Sequence, residues 1–172
     1  MKRLILTIFL LHFLTTSFGQ NADIKSMVDS LKYLKVNSLD CSAGLYWQII
    51  AKGDNAIPFL IDKLTDTNST NIKSSCKTTK LNVAEISYEA LTEIAEFPMY
   101  VMTHIQFDVI HNGCWSFYNY LYNDGNKKEF QKLVREWYLK EKKHYKAKTI
   151  SKKKLTACQK KFKITKYYEW KN

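Results

Sequence analysis

Between Tyr46 and Ala95 the apolar spacing, the helix stops and a turn proline all point to one local geometry, a set of helices folded back on one another. Tyr46, Ile49 and Ile50 recur at helical spacing, the run breaks at Lys52-Gly53, and Asn55 then precedes Ala56, Ile57 and Pro58. Gly53 suits the left-handed conformation that closes a helix, Asn55 is expected to cap the next one, and Pro58 fits a first turn, where no intrahelical donor is lost. The second helix places Ile57, Leu60, Ile61 and Leu64 on one face and Asp62 and Lys63 on the other, so its stripe must pack on a neighbour. Asn82 is expected to cap a third helix carrying Val83, Ile86, Ala90, Leu91 and Ile94, which stops at Phe97-Pro98.

The run Ile50-Ala51-Lys52-Gly53-Asp54-Asn55-Ala56-Ile57-Pro58-Phe59-Leu60-Ile61-Asp62-Lys63-Leu64, followed by Val83-Ala84 through Ala90-Leu91, resembles a HEAT-type helical repeat. It departs from that family in the polar stretch Thr65–Leu81, a long insertion between helices that are usually joined tightly, and no second copy follows. Stacked solenoids need about three repeats. The fold class expected is therefore all-α: a compact HEAT-like antiparallel helical domain with a long polar insertion and a basic C-terminal helix and tail. The resemblance implies a scaffold or partner-binding surface, and does so by analogy of fold.

Met1–Gly19 has Lys2 and Arg3, an apolar run from Leu4 to Leu14, and small residues at Ser17 and Gly19. This layout matches a cleaved export signal, and the run is shorter than the roughly 18 to 20 residues a bilayer span needs. The expected organisation is a signal peptide over 1–19, a helical domain over 20–148 and a basic aromatic tail over 149–172, with a periplasmic or extracellular product that is not transmembrane. Within the last segment Phe162, Ile164, Tyr168 and Trp170 alternate with polar positions over Lys161–Lys171, which suits an extended tail or a short strand. Export makes disulfides the expected state of the four cysteines, Cys41, Cys76, Cys114 and Cys158. If one helix runs up from Val83 and Pro98–Ile110 runs back, Cys76 and Cys114 meet at the same end. That leaves Cys41 with Cys158.

Ahead of the hairpin, Ile24, Met27, Val28, Leu31 and Leu34 mark a leading amphipathic helix over Asp23–Lys35, and Asp40 or Ser42 is expected to cap the helix that follows. Asn68-Ser69-Thr70 is a formal glycosylation acceptor, though such triplets are common in polar loops. In the third helix Glu85, Glu89 and Glu93 fall at successive i, i+4 positions, with Glu96 nearby. Like charges so spaced repel, and lysines of the same chain are the expected neutralisers. A helix through Pro98–Ile110 would put His104, Asp108 and His111 on one face, a set able to hold zinc with an open position for hydrolysis. His111 beside Cys114 also has the makings of a base and thiol pair, which a disulfide at Cys114 would cancel. Trp115, Phe117, Tyr118, Tyr120, Leu121 and Tyr122 form an aromatic cluster. Asn126 and Glu129 then form an expected capping box for a helix with Phe130, Leu133, Val134, Trp137, Tyr138 and Tyr145 on its apolar face.

Charge divides the chain. Residues 126–172 hold 17 Lys and Arg against 4 Asp and Glu, a balance of +13, whereas residues 20–125 hold 8 against 12, a balance of −4. Lys152, Lys153, Lys154, Lys160, Lys161 and Lys163, with Trp170, are the candidate binding residues for a protein or an anionic envelope component. Lysine interleaved with aromatics also suits single-stranded nucleic acid, but export argues against it. The chain has no nucleophile elbow, no phosphate-cradling glycine loop and no Cys-x-x-Cys pair, so no catalytic residue or cofactor is assigned. The expected function is an exported, disulfide-stabilised helical binding module, of the kind used by inhibitors and immunity proteins. The alternatives are a hydrolase built on His104, Asp108 and His111, and a structural envelope-associated protein.

Overall fold

The computed structural model describes residues 21–106, 110, 111 and 114–171. The proposed signal segment lies outside them. Helix α1 covers 21–29 and tightens into a 3₁₀ turn at Ser30–Tyr33, and α2 runs Gly44–Ala51. A second 3₁₀ turn at Gly53–Ala56 leads into α3, Ile57–Asp62, and α4 runs Val83–Ile94. Ile24, Leu31, Ile49, Ile50, Ile57, Leu60, Ile61, Leu64 and Ile86 are fully buried, so the stripes of all four helices converge on one core.

Gly53 carries the bend between α2 and α3 for two reasons. Its φ is +61°, and a Cβ there would sit 3.2 Å from the Tyr168 hydroxyl oxygen. Pro58 occupies the first turn of α3, as its fixed φ favours. Asn55 does not cap that helix: it lies inside the 3₁₀ turn, and Ala56 takes the cap position without a side-chain bond. Before α2, the Asp40 carboxylate accepts from the Ser42 amide at 2.7 Å, and Ala43 holds the cap position. Helix α4 has a complete capping box, with the Glu85 amide donating to Asn82 Oδ1 at 3.1 Å and the Asn82 amide to Glu85 Oε2 at 2.9 Å.

Residues 65–81 double back rather than loop outward. The Thr70 amide donates to the Leu81 carbonyl at 3.1 Å and the Leu81 amide to the Ile72 carbonyl at 2.8 Å. Ile72 is buried beneath them, giving this polar stretch an apolar anchor. The Thr70 hydroxyl is spent on the Leu81 carbonyl at 2.8 Å and is itself buried, so the Asn68-Ser69-Thr70 acceptor is partly locked into the fold.

The helix expected through Pro98–Ile110 is much shorter. Helix α5 covers only Met99–Thr103 and closes at His104, whose φ of +55° takes the chain out of helical geometry. Strands β1, Ile110–His111, and β2, Cys114–Trp115, then pair antiparallel, with His111 opposite Cys114. Helix α6 spans Ser116–Tyr122 and α7 Asp124–Glu141. The cap of α7 is Asn123, whose side chain accepts from the Gly125 amide at 3.0 Å, and not Asn126, whose amide group donates to the Tyr120 carbonyl at 3.0 Å. The capping-box spacing at Asn126 and Glu129 is real, but the tight turn at Asn123 starts the helix first.

Of the two forms that the alternation over Lys161–Lys171 suits, an extended tail or a short strand, the structure has the strand, and the segment from 149 through Lys171 is folded. The long helix ends at Glu141, so Tyr145, expected on its apolar stripe, instead opens strand β3, Tyr145–Thr149. That strand pairs antiparallel with β4, Lys166–Trp170, and α8, Ala157–Lys161, lies in the connection between them. This hairpin is fastened to α4, because the Glu96 amide donates to the Tyr168 carbonyl at 2.9 Å. The physical cause is apolar. Phe162 stacks on Trp47 with centroids 6.4 Å apart, Trp170 lies 5.1 Å from Trp137, and Ile164 is buried. The described chain is thus predominantly helical, with two small two-stranded sheets added. Two disulfides close it: Cys76–Cys114, with Cα atoms 5.5 Å apart, and Cys41–Cys158, at 4.9 Å. Among the described residues, no helix is long and apolar enough to cross a membrane.

Candidate functional site

The candidate lysines fall in the connection between β3 and β4. Residues 150–166 contain seven lysines, Lys152, Lys153, Lys154, Lys160, Lys161, Lys163 and Lys166, and no acidic residue. The Ile150 amide donates to the Thr165 carbonyl at 2.8 Å, so the two ends of this connection meet and it forms a closed cap. Ser151–Lys154 make a tight turn, with the Lys154 amide donating to the Ser151 carbonyl at 2.8 Å. Helix α8 then starts on a capping box: the Gln159 amide donates to the Thr156 hydroxyl at 3.2 Å and the Thr156 amide to Gln159 Oε1 at 3.0 Å.

Helix α8 ends on a complete Schellman motif. The Ile164 amide reaches the Gln159 carbonyl at 2.8 Å and the Lys163 amide the Lys160 carbonyl at 3.3 Å. Glycine normally fills the left-handed position of that motif; here it is Lys163, at φ +57°. Cys158, Phe162 and Ile164 point inward as three anchors, while all seven lysines are exposed. Lys161 donates to the Cys41 carbonyl at 2.9 Å, next to the disulfide. Lys152, Lys153, Lys154, Lys160, Lys163 and Lys166 have no carboxylate partner among the described residues. Trp170 is not on this surface. Its ring packs on Trp137 and its indole N–H donates to Glu141 Oε2 at 3.3 Å, so it belongs to the anchoring side.

The acidic stripe of α4 splits into two environments. Glu85 is buried and ion-paired, with its Oε1 2.8 Å from the Lys77 amine and 3.2 Å from that of Lys127. Lys127 is buried too, and also reaches Asp124 at 2.6 Å. One turn on, no lysine among the described residues pairs with Glu89 or Glu93. Burial raises the pKa of Glu89, which the Tyr118 hydroxyl directed at it partly offsets and the charge of Glu93 reinforces. Burial likewise raises Glu93, and Gln159 of α8 is directed at it and pulls it back. Tyr167, on β4, is pushed up to about 12, first by burial and then by Glu96, Glu169 and Glu93. The amide and hydroxyl neighbours of these carboxylates were hidden in the sequence, because they arrive from α6 and from a segment read as tail.

The histidine set does not share a helix face. His104 is exposed at the left-handed end of α5, Asp108 lies outside the described residues, and His111 sits on β1. Cys114 is in a disulfide, so it offers no thiolate for His111 to activate. A comparison of this chain with family models, with curated proteins and with solved structures finds no match in any of the three, so its function must be read from the basic cap and the helices that carry it.

Proposed function

We propose that this protein is an exported, disulfide-stabilised helical binding module that recognises an anionic partner, not an enzyme. The observation that carries the reading is the cap at 150–166: seven exposed lysines and no acidic residue, on a connection closed by a backbone bond and fixed to the body by a disulfide. Uncompensated charge of one sign on a small loop repels itself and opposes compaction, so its retention on a rigid support favours use by something outside the fold. Holding the lysines in place before binding lowers the ordering cost that a flexible tail would incur.

The two disulfides fit an oxidising compartment and hence export, in line with the charged start and short apolar run of Met1–Gly19. The hairpin of α2 and α3 around Gly53, with α4 packed across it, supports a HEAT-like origin for the body. On this reading the body is a scaffold and the cap its working surface.

The experiment is retention of the oxidised chain on immobilised polyglutamate as salt is raised. Tight retention at about 0.05 M salt and release by about 0.5 M is expected for a contact made by several exposed lysines. Passage without delay at low salt contradicts the proposal.

A further inference from the structure

The anionic partner recognised by the cap, on the reading just given, has a chemistry that the residue types narrow. We propose that it is an anionic lipid surface, met by Lys152, Lys153, Lys154, Lys160, Lys163 and Lys166 without insertion of any side chain into the bilayer.

Three observations carry this. The cap is all lysine. The single arginine of residues 126–172, Arg135, is on α7 and is held by Asp62 at 2.8 Å. Specific carboxylate recognition favours the fixed fork of arginine, and protein interfaces are enriched in arginine and aromatics and depleted in lysine. Compact ammonium charges suit a surface whose phosphates are laterally mobile and need no fixed register.

The second observation is that the cap offers no ring to stack on or insert. Phe162 is the only aromatic residue of 150–166, and it is stacked on Trp47. Trp170 faces Trp137, and the Tyr168 hydroxyl donates to Asp54 at 3.0 Å. Single-stranded nucleic acid needs exposed stacking faces, and an amphipathic anchor needs an exposed apolar edge. Neither is present on the described residues of the cap.

The third is Lys163. A lysine in the left-handed position of a Schellman motif is strained where glycine is not, and strain of this kind gathers where function sets the residue. There it adds another exposed charge between Lys160 and Lys166, completing the cluster.

The test is flotation of the oxidised mature chain with vesicles of phosphatidylcholine containing about 30% phosphatidylglycerol, and with phosphatidylcholine alone. Each lysine near an anionic surface is worth roughly a fivefold change in partitioning, so Lys152→Gln/Lys153→Gln/Lys154→Gln should bind about a hundredfold more weakly. Those three side chains are exposed and make no ion pair among the described residues, so the variant should keep the parental melting temperature. Lys32→Gln/Lys128→Gln/Lys132→Gln removes the same charge from elsewhere on the surface and should lose less than about fivefold.

Salt-sensitive binding to the anionic vesicles alone, lost in the first variant and kept in the second, supports the proposal. Equal losses in the two variants overturn the assignment to the cap. Absence of vesicle binding with retention on polyglutamate overturns the lipid surface and leaves the anionic-partner reading standing for an acidic protein. Failure on both overturns the two together.

Discussion

Replacing Lys127 by methionine tests the most demanding electrostatic contact in the fold. Lys127 and Glu85 have side chains 2% and 1% exposed, with 3.2 Å between amine and carboxylate. Methionine keeps the unbranched shape and most of the volume, so the change is chiefly the lost charge and its hydrogen bonds. Breaking a buried pair from one side costs about 3 to 5 kcal/mol. Glu85 would still hold Lys77 at 2.8 and 3.0 Å and the Asn82 amide at 2.9 Å, which places the expected loss at the lower end, about 3 kcal/mol. For a chain of this size that corresponds to roughly 10 °C in Tm. The assay is urea denaturation at pH 7, run as a double-mutant cycle with Glu85→Gln. A coupling of about 2 kcal/mol between the two positions is expected. Asp124→Asn is the control: Asp124 is 67% exposed, so its loss should cost at most about 1 kcal/mol. A Lys127→Met variant as stable as the parent, with additive effects in the cycle, would refute the reasoning.

Three further outcomes follow from named contacts. Glu93→Gln should be more stable than the parent at pH 7. Burial raises the Glu93 pKa in the fold, so the native state binds the extra proton and parental stability falls as pH rises through that value. The advantage of the variant should shrink toward zero below the ordinary glutamate range, and thermal melts at pH 7 and pH 4 read the difference; an advantage that grows on acidification counts against it. Lys163→Gly should raise stability by about 0.5 kcal/mol, because relief of the left-handed strain outweighs the extra freedom of the unfolded chain; a loss of more than about 1 kcal/mol in the same denaturation assay argues against a strained lysine. Cys41→Ser/Cys158→Ser opens a 117-residue separation and should cost about 4 to 5 kcal/mol by chain entropy, with no drop in urea midpoint as the contrary result.

The helical body was legible because its signals are local. Gly53, Pro58 and the Asn82 cap each act within a few residues, and the stripes of α1 to α4 name the buried face directly. The cysteine count and the short apolar start point to disulfides for a similarly simple reason. The C-terminal segment was harder. Its alternation of apolar and polar residues is weak, and lysine density hides the buried Ile164 and also Phe162, whose partner Trp47 lies more than a hundred residues back. The stop of α5 at His104 had no glycine or proline to announce it, since a histidine takes the left-handed position. The split of the acidic stripe depends on what α6, α7 and α8 bring to it. Periodicity put Glu85, Glu89 and Glu93 on one face, but only the packing distinguishes the lysine-paired Glu85 from its neighbours.

The central claim is that the basic C-terminal segment is a rigid cap and not a tail, and amide hydrogen exchange on the oxidised chain tests it most directly. The Ile150, Ile164 and Glu96 amides donate to Thr165, Gln159 and Tyr168, so a folded cap predicts that they exchange about a hundredfold or more slowly than an unstructured chain. Exchange at free-chain rates throughout 150–171, while α4 stays protected, would contradict it.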